Sequence, residues 1–318
     1  MRSLDSLIWS TAPVAEAETI MICNDPTGDL LTAAVDTGKR VVCVDSDFVR
    51  CRAAGDAGAL VAGEQRLDSY LAGSTGSAVA LGEMPKSLGR LDYLARSIAG
   101  AEFSQVQMVL GANNKHLARS MNSVLAESFD DVAASRGRGK FRCLVASGPK
   151  PVGYEPVRGD GLVAIGGVFS GAKPDPGGEL LRSSLPADLG RYLDLGCGNG
   201  SVSRGLSGAV MGTDSDADAV LSARANGLNA TWDDAGSALA DSSFDTIALN
   251  PPFHDGTTVD ATLVQHLLDA AARLLAPGGS LYLVHNSHLR YRAEVERRFD
   301  AVEEVARDAR YTVLRARS

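Results

Sequence analysis

Asn250-Pro251-Pro252-Phe253 is the stretch of the chain best suited to chemistry on a planar amine. Such an amine is a poor nucleophile, because its lone pair is delocalised into the ring or carbonyl it is attached to. An asparagine side-chain oxygen and the carbonyl of the following proline can each accept one of its N–H bonds. That grip fixes the amine, opposes delocalisation and stabilises positive charge as it develops on nitrogen. Two prolines stiffen the turn and remove competing N–H donors, and Phe253 offers a face to an unstacked base. No strong base is required, since the alkylated nitrogen loses its proton readily. His254 and Asp255 follow directly and could shuttle that proton, although loop polarity explains them as well.

A second set of residues describes what the amine would react with. Gly196, Gly198 and Gly200 form a G-x-G-x-G turn after the apolar run Tyr192–Leu195. A dinucleotide fingerprint would place its third glycine where Ser201 stands, so the spacing favours a nucleoside ligand without a pyrophosphate. Backbone N–H groups and a helix start at this turn could hold a carboxylate. Asp194 could meet an amino group or order the loop, Asp214 could accept both hydroxyls of a ribose, and Asp234 (or Asp233) could accept from an adenine amine. An amino acid joined to adenosine satisfies all of these, which is S-adenosylmethionine. The expected contacts are Asp194, Gly196, Cys197, Gly198, Asn199, Gly200, Asp214 and Asp234, with Phe169 either covering the cofactor or filling the core. Cys197 reads as a small filler without a nucleophilic role, and no His or Cys spacing suggests a metal site.

These groups need a scaffold that brings distant segments to one edge, and an open α/β sheet does so at the carboxyl ends of its strands. Strands are expected at 191–195, 209–214, 230–232, 244–249 and 280–284, with a closing hairpin from 299–305 and 311–314. A helix is expected from the glycine turn through Val202, Leu206 and Val210, and another over 259–275 with Leu263, Leu267, Ala271 and Leu274 facing inward. The first half repeats the alternation, with strands at 20–23, 40–45, 77–81 and 106–110, closing strands at 131–134 and 141–145, and Leu88, Leu91, Leu94 and Ile98 on a helix face. A Pro- and Gly-rich loop over 147–156 separates the halves, giving domains of 1–150 and 151–318. The halves look duplicated: Val41-Val-Cys-Val-Asp45-Ser-Asp47 mirrors Val210-Met-Gly-Thr-Asp214-Ser-Asp216. Their chemistry is not. Asn24-Asp-Pro-Thr-Gly28 has lost two of the three glycines, and Glu83-Met-Pro-Lys86 stands where the second half has Asn250-Pro-Pro-Phe253. One working site and one retired copy are expected, in two tandem Rossmann-like α/β domains.

The 318 residues carry a net charge of −8, unevenly spread. Residues 86–150 hold 10 Lys and Arg against 5 Asp and Glu, a local excess of +5 within an acidic chain. A basic face of that kind can steer a phosphate backbone, and Lys86, Lys115, Arg119, Arg138, Lys140 and Arg142 are its candidate contacts. Arg290, Arg292, Arg297 and Arg298 read instead as a helix face balanced by Glu294 and Glu296. No run approaches the ~20 apolar residues that span a bilayer. Five scattered cysteines and an opening without a secretory signal point to a reducing cytoplasm.

Leu193-Asp-Leu-Gly-Cys-Gly-Asn-Gly200 with Asn250-Pro-Pro-Phe253 is similar to class I S-adenosylmethionine-dependent methyltransferases acting on planar amines. Asn250-Pro-Pro-Phe-His-Asp-Gly256, with Gly167-Val-Phe-Ser170 ahead of the glycine turn, resembles the ribosomal RNA guanine-N2 methyltransferases. In the first half Asn24–Gly28, Met84–Ser87 and Lys115–Ser120 resemble that family's noncatalytic amino-terminal domain. His254-Asp255-Gly256 resembles the small-subunit enzymes, whereas Lys115-His116 and Tyr311–Arg315 resemble the large-subunit ones. The resemblance implies methyl transfer from S-adenosylmethionine to N2 of a guanine in ribosomal RNA or a ribosomal subunit, by a monomer without a metal or a membrane. The alternatives are an adenine-N6 or protein glutamine acceptor, or an RNA-binding assembly factor that does not turn over.

Overall fold

The computed structural model describes residues 1–252, 259–289 and 291–318, with the side chains of 259–261 left aside. The chain divides into two compact units, one of residues 1–156 with 165–167, the other of 157–164 with 168–318.

The first unit opens with helix α1 (Ser3–Thr11), then strand β1 (Thr19–Ile22), α2 (Asp29–Asp36), β2 (Arg40–Cys43), α3 (Phe48–Asp56), β3 (Leu60–Val61) and α4 (Leu67–Leu71). It continues with β4 (Ser77–Glu83), α5 (Leu88–Ala99), β5 (Gln105–Asn113), α6 (Arg119–Ser128), β6 (Phe129–Ala134) and β7 (Phe141–Pro149). The strands lie in the order β3-β2-β1-β4-β5-β7-β6, with β7 antiparallel to both of its neighbours. β1 and the middle of β4 are buried on both faces, as expected of parallel strands covered by helices. In α5, Leu91, Leu94 and Ile98 are buried as their spacing predicts, but Leu88 at the first position is exposed.

The second unit begins with the ribbon β8 (Val157–Gly159) and β9 (Leu162–Ala164), then α7 (Pro176–Ser183), β10 (Arg191–Leu195), β11 (Ala209–Asp214), α8 (Ala217–Ala225), β12 (Ala230–Trp232) and β13 (Phe244–Leu249). After it come α9 (Val259–Leu274), β14 (Leu275–Asn286), α10 (Arg292–Glu296), β15 (Ala301–Arg307) and β16 (Tyr311–Arg317). The order β12-β11-β10-β13-β14-β16-β15 reproduces that of the first unit strand for strand. Tandem Rossmann-like sheets are therefore the architecture. Val264, Leu267, Leu268, Ala271 and Leu274 of α9 pack on Leu193, Ile247, Leu249 and Leu283 to make the main core. Leu263, expected inward, is exposed, and Val264 takes the inward place.

The helix expected after the glycine turn is absent. Residues 201–205 form turns, and Val210 already belongs to β11. Gly205 and Gly208 adopt positive φ of 71° and 103°, which a right-handed helix does not accommodate. Only eight residues separate Gly200 from β11, too few for a helix and its return.

Candidate active site

The chain runs from β10 outward to β12 and then returns to β13 on the other side of β10, so the strand order reverses between β10 and β13. Ligands in open α/β sheets sit at such a reversal. The register sets the rest. Leu195 lies opposite both Thr213 and Leu249, and Asp214 lies opposite Trp232. The next residues along each strand are Gly196, Asp214, Asn250 and, one strand further out, Asp233. All four segments thus end side by side on one edge.

The three glycines divide their work. All have φ between 53° and 77°, in the left-handed region that glycine tolerates best. A Cβ on Gly196 or Gly198 would meet nothing within 4 Å, so their open faces leave a cradle for a ligand. A Cβ on Gly200 would come within 3.2 Å of Ala223 Cα in α8, so Gly200 is required for packing. Cys197 is buried among Val220, Ala223, Leu228 and Ala230. Its N–H donates to Thr213 O and its carbonyl accepts from Gly200 N, so packing is what it contributes.

Asn199 is spent internally. Its Nδ2 donates to the carbonyls of Gly171 and Lys173 at 2.8 Å each, and its Oδ1 accepts from Ser201 N at 3.0 Å. The turn is thereby tied to the 168–173 loop. Asn226, at the carboxyl end of α8, completes the tie. Its Oδ1 accepts from Val163 N at 2.8 Å, and its Nδ2 donates to the carbonyls of Val163 and Asn199. Asn226-Gly227 reads in sequence as an ordinary helix stop, so no local pattern reveals this role.

Asp214 is half-buried. Its carboxylate accepts from Gly198 N at 2.9 Å and Asp216 N at 3.0 Å. Burial raises its pKa, against the lowering effect of those backbone donors. Asp194 is fully buried and accepts from Ser203 Oγ, which also contacts Tyr192 Oη at 3.1 Å. Burial pushes its carboxyl up to about 7, with Ser203 opposing the rise and the charge of Asp214 adding to it. Of the two roles open to Asp194, ordering the loop is the one these contacts support. Asp233 is buried and accepts from Ser237 Oγ and Ala238 N. Asp234 is half-buried and pairs with His266 Nε2 at 2.9 Å. Trp232 Nε1 donates to Ser215 O at 3.0 Å, which sets its ring beside the residue after Asp214. Phe169 is 62% exposed, so it does not fill the core, while Val168 and Ala172 on either side pack against Ala219.

Asn250 leaves the end of β13 half-buried, followed by buried Pro251 and half-buried Pro252. Its Nδ2 donates to Asp175 Oδ2 at 3.0 Å. The same oxygen accepts from Gly178 N at 2.9 Å, as the N-cap of α7. A charged acceptor holds the amide through its nitrogen and leaves Oδ1 for another donor. Sequence reading missed Asp175. Its signal was Asp-Pro-Gly-Gly at a helix start, a cap with proline at the first helical position, which marks the helix and gives no hint of Asn250. Phe253, His254, Asp255 and Gly256, and Arg290 further on, lie outside the described residues. Arg292 and Arg297 pair with Glu296 and Glu294 as expected of a balanced face.

The open cradle at Gly196 and Gly198, with an acceptor carboxylate one strand away, fits an adenosyl amino acid. Among the described residues no group of three or more His, Cys, Asp or Glu could hold a metal ion, and no helix is long and apolar enough to cross a membrane.

Residues 4–150 match the model of the RLMG N-terminal domain, and residues 161–315 that of the methyltransferase small domain. The chain is 30% identical over 260 residues to the ribosomal RNA large subunit methyltransferase G of Pseudomonas putida F1, covering 74% of this chain and 69% of the relative. The protein of the same name from Pseudomonas entomophila is 32% identical over 263 residues, with the same coverage. The solved structure of the T. thermophilus 16S rRNA N2 G1207 methyltransferase in complex with AdoMet and guanosine superposes with a TM-score of 0.77. It covers all of this chain and 92% of that one at 24% identity, a likeness of fold. With the two domain models in tandem and relatives at this identity over most of its length, the chain belongs to the ribosomal RNA large subunit methyltransferase G family.

Proposed function

We propose that this chain transfers a methyl group from S-adenosylmethionine to the exocyclic N2 of a guanine in large-subunit ribosomal RNA. The observation that carries the reading is the Asn250 amide, held through its nitrogen by Asp175 and set one strand from the glycine turn. Asn250 Oδ1 and the Pro251 carbonyl are the two acceptors for the guanine amine. Accepting both N–H bonds fixes the amine, opposes delocalisation of its lone pair and stabilises the charge that forms on nitrogen. The bound cofactor supplies an electrophilic methyl carbon. Asp214 would hold its ribose, and the open faces of Gly196 and Gly198 would receive its amino-acid end. The target base leaves its stack to reach the site, as enzymes acting on a base require. Five free cysteines, all buried, accord with work in the cytoplasm.

Incubation with a methyl-labelled donor and, separately, naked ribosomal RNA, purified subunits, DNA and release factors tests the reading. Label is expected on a guanine of large-subunit RNA, and Asn250→Ala is expected to lose it while still binding the cofactor. Label on adenine or on protein would refute the guanine assignment. An Asn250→Ala variant that fully rescues a deletion strain whose RNA stays unmethylated would favour a role in assembly.

A further inference from the structure

We propose that the first unit keeps the substrate half of its ancestral site as a pocket for one unstacked nucleotide of single-stranded RNA, after its own side chains have filled the cofactor half.

The filling is seen residue by residue. Asp25 lies at the position of the glycine turn, and its carboxylate accepts from Gly28 N at 3.1 Å and Leu31 N at 2.9 Å, capping α2. Those two backbone N–H groups are therefore not free to meet the carboxylate of a ligand. Asp45, the counterpart of Asp214, is buried and gripped at both oxygens by Arg50 Nε and Nη2, each at 2.8 Å. No ribose can use that carboxylate without displacing the guanidinium. Asp5 of α1 is fully buried and accepts from Arg2 Nε at 2.8 Å and from Thr27 Oγ1. Asp25 and Asp45, the counterparts of the glycine turn and of Asp214, are thus both engaged by the unit's own groups.

The other half is open. A cavity of about 840 Å³ lies between the end of β4, at Glu83–Lys86, and the end of β5, at Gly111–Asn113. Ligand pockets commonly fall in the range of about 300–1,000 Å³. Strand order places this cavity where the second unit has Asn250-Pro251-Pro252. Its lining suits a nucleotide. Glu83 is paired with Arg2, whereas Lys86 and Lys140 are exposed cations that make no ion pair among the described residues. Met84 and the half-buried Phe141 supply an apolar wall, and Lys140 Nζ stands 5.4 Å from the Phe141 ring centroid. A phosphate between the two lysines and a base against Phe141 is how sequence-tolerant single-strand sites work. The surrounding stretch is also where the chain concentrates its positive charge. Removal of the Asn-Pro-Pro grip and of the cofactor leaves a pocket that binds without reacting.

The proposal rests on the RNA reading above, so its test measures binding and not methyl transfer. Fluorescence anisotropy of a short labelled single-stranded RNA is followed with the full chain and with Lys86→Ala, Phe141→Ala and the double variant. The double variant is expected to lose roughly tenfold or more in RNA affinity, with a flatter salt dependence from the lost phosphate contact. Cofactor affinity and unfolding temperature report that it is folded, and Phe141→Tyr should restore most of the affinity. Photocrosslinking of thiouridine-substituted RNA should label peptides containing Met84–Lys86 or Lys140–Phe141. Wild-type RNA affinity in a folded double variant would overturn the proposal. So would saturation of the pocket by free guanosine monophosphate that leaves RNA binding untouched. Pocket-dependent RNA binding without ribosomal RNA methylation would sink only the transferase reading.

Discussion

Asp175 shows how one carboxylate can serve a helix and a reaction together. Its Oδ2 takes the N–H of Gly178, starting α7, and the Nδ2 of Asn250, which removes the ambiguity over which end of the amide faces the substrate. Asn250 is proposed to touch the reacting amine; Asp175 acts on that amine only through Asn250 and is a positioning residue. Asp175→Ala is expected to lower kcat by roughly 10- to 100-fold, the worth of a charged hydrogen bond of about 1.5–3 kcal/mol. The dissociation constant of the cofactor should stay unchanged. Asp175→Asn, which keeps an acceptor oxygen, should recover part of kcat. An equal fall in cofactor affinity in Asp175→Ala would indicate a folding defect of the loop and refute the positioning role. The amides at Asn199 and Asn226 make the complementary point: both are fully engaged in holding loops.

At the level of elements, the connection from β10 to β11 is a series of turns stabilised by a buried polar chain from Asp194 through Ser203 to Tyr192. Its pH dependence follows from burial. The folded-state pKa of Asp194, about 7, exceeds the unfolded value of about 3.9. The folded protein therefore binds the proton more tightly between those values. The stabilisation is complete below the unfolded pKa and is lost as pH rises through the folded one. The unfolding free energy of the ligand-free protein in urea should fall between about pH 4 and 7, by at most about 1.4 kcal/mol per pH unit from this group, and level off above that. Asp194→Asn should flatten that slope. A slope unchanged by the substitution would mean that Asp194 is ionised throughout.

Across the whole molecule, two sheets share one strand order and differ in what stands at the strand ends. The second unit presents glycines with open faces, whereas the first presents Asp25 on its helix start and Arg50 on Asp45. One cofactor per chain is the expected stoichiometry, read by calorimetry. Asp214→Ala should abolish all binding, leaving no weaker second site. A residual stoichiometric site in Asp214→Ala would show that the first unit still takes the cofactor. The charge excess of residues 86–150 belongs to the same unit, so the unit without a free cofactor site is the one suited to an anionic polymer.

Much of this was legible in the residue string because it depends on local rules. Alternating apolar strands and helices separated by glycine and proline breaks pointed to two tandem α/β sheets, missing only the two-residue edge strand β3 of the first, and a shared acid at the end of the second strand exposed the duplication. Asn-Pro-Pro-Phe and the glycine spacing determined which chemistry to expect, since each is a short stretch whose backbone restrictions act on its neighbours. Other features depended on contacts between residues far apart in sequence. Asp175 reaches Asn250 across 75 positions and Asn226 reaches Val163 across 63. The helix predicted after Gly200 failed because the short return to β11, through glycines at positive φ, outweighed the helical spacing of Val202, Leu206 and Val210. Arg50 filling the Asp45 site while a cavity persists beside β4 likewise reflects how side chains occupy space. Periodicity reports which face of an element is buried; only the packed chain decides which polar group each buried carboxylate meets.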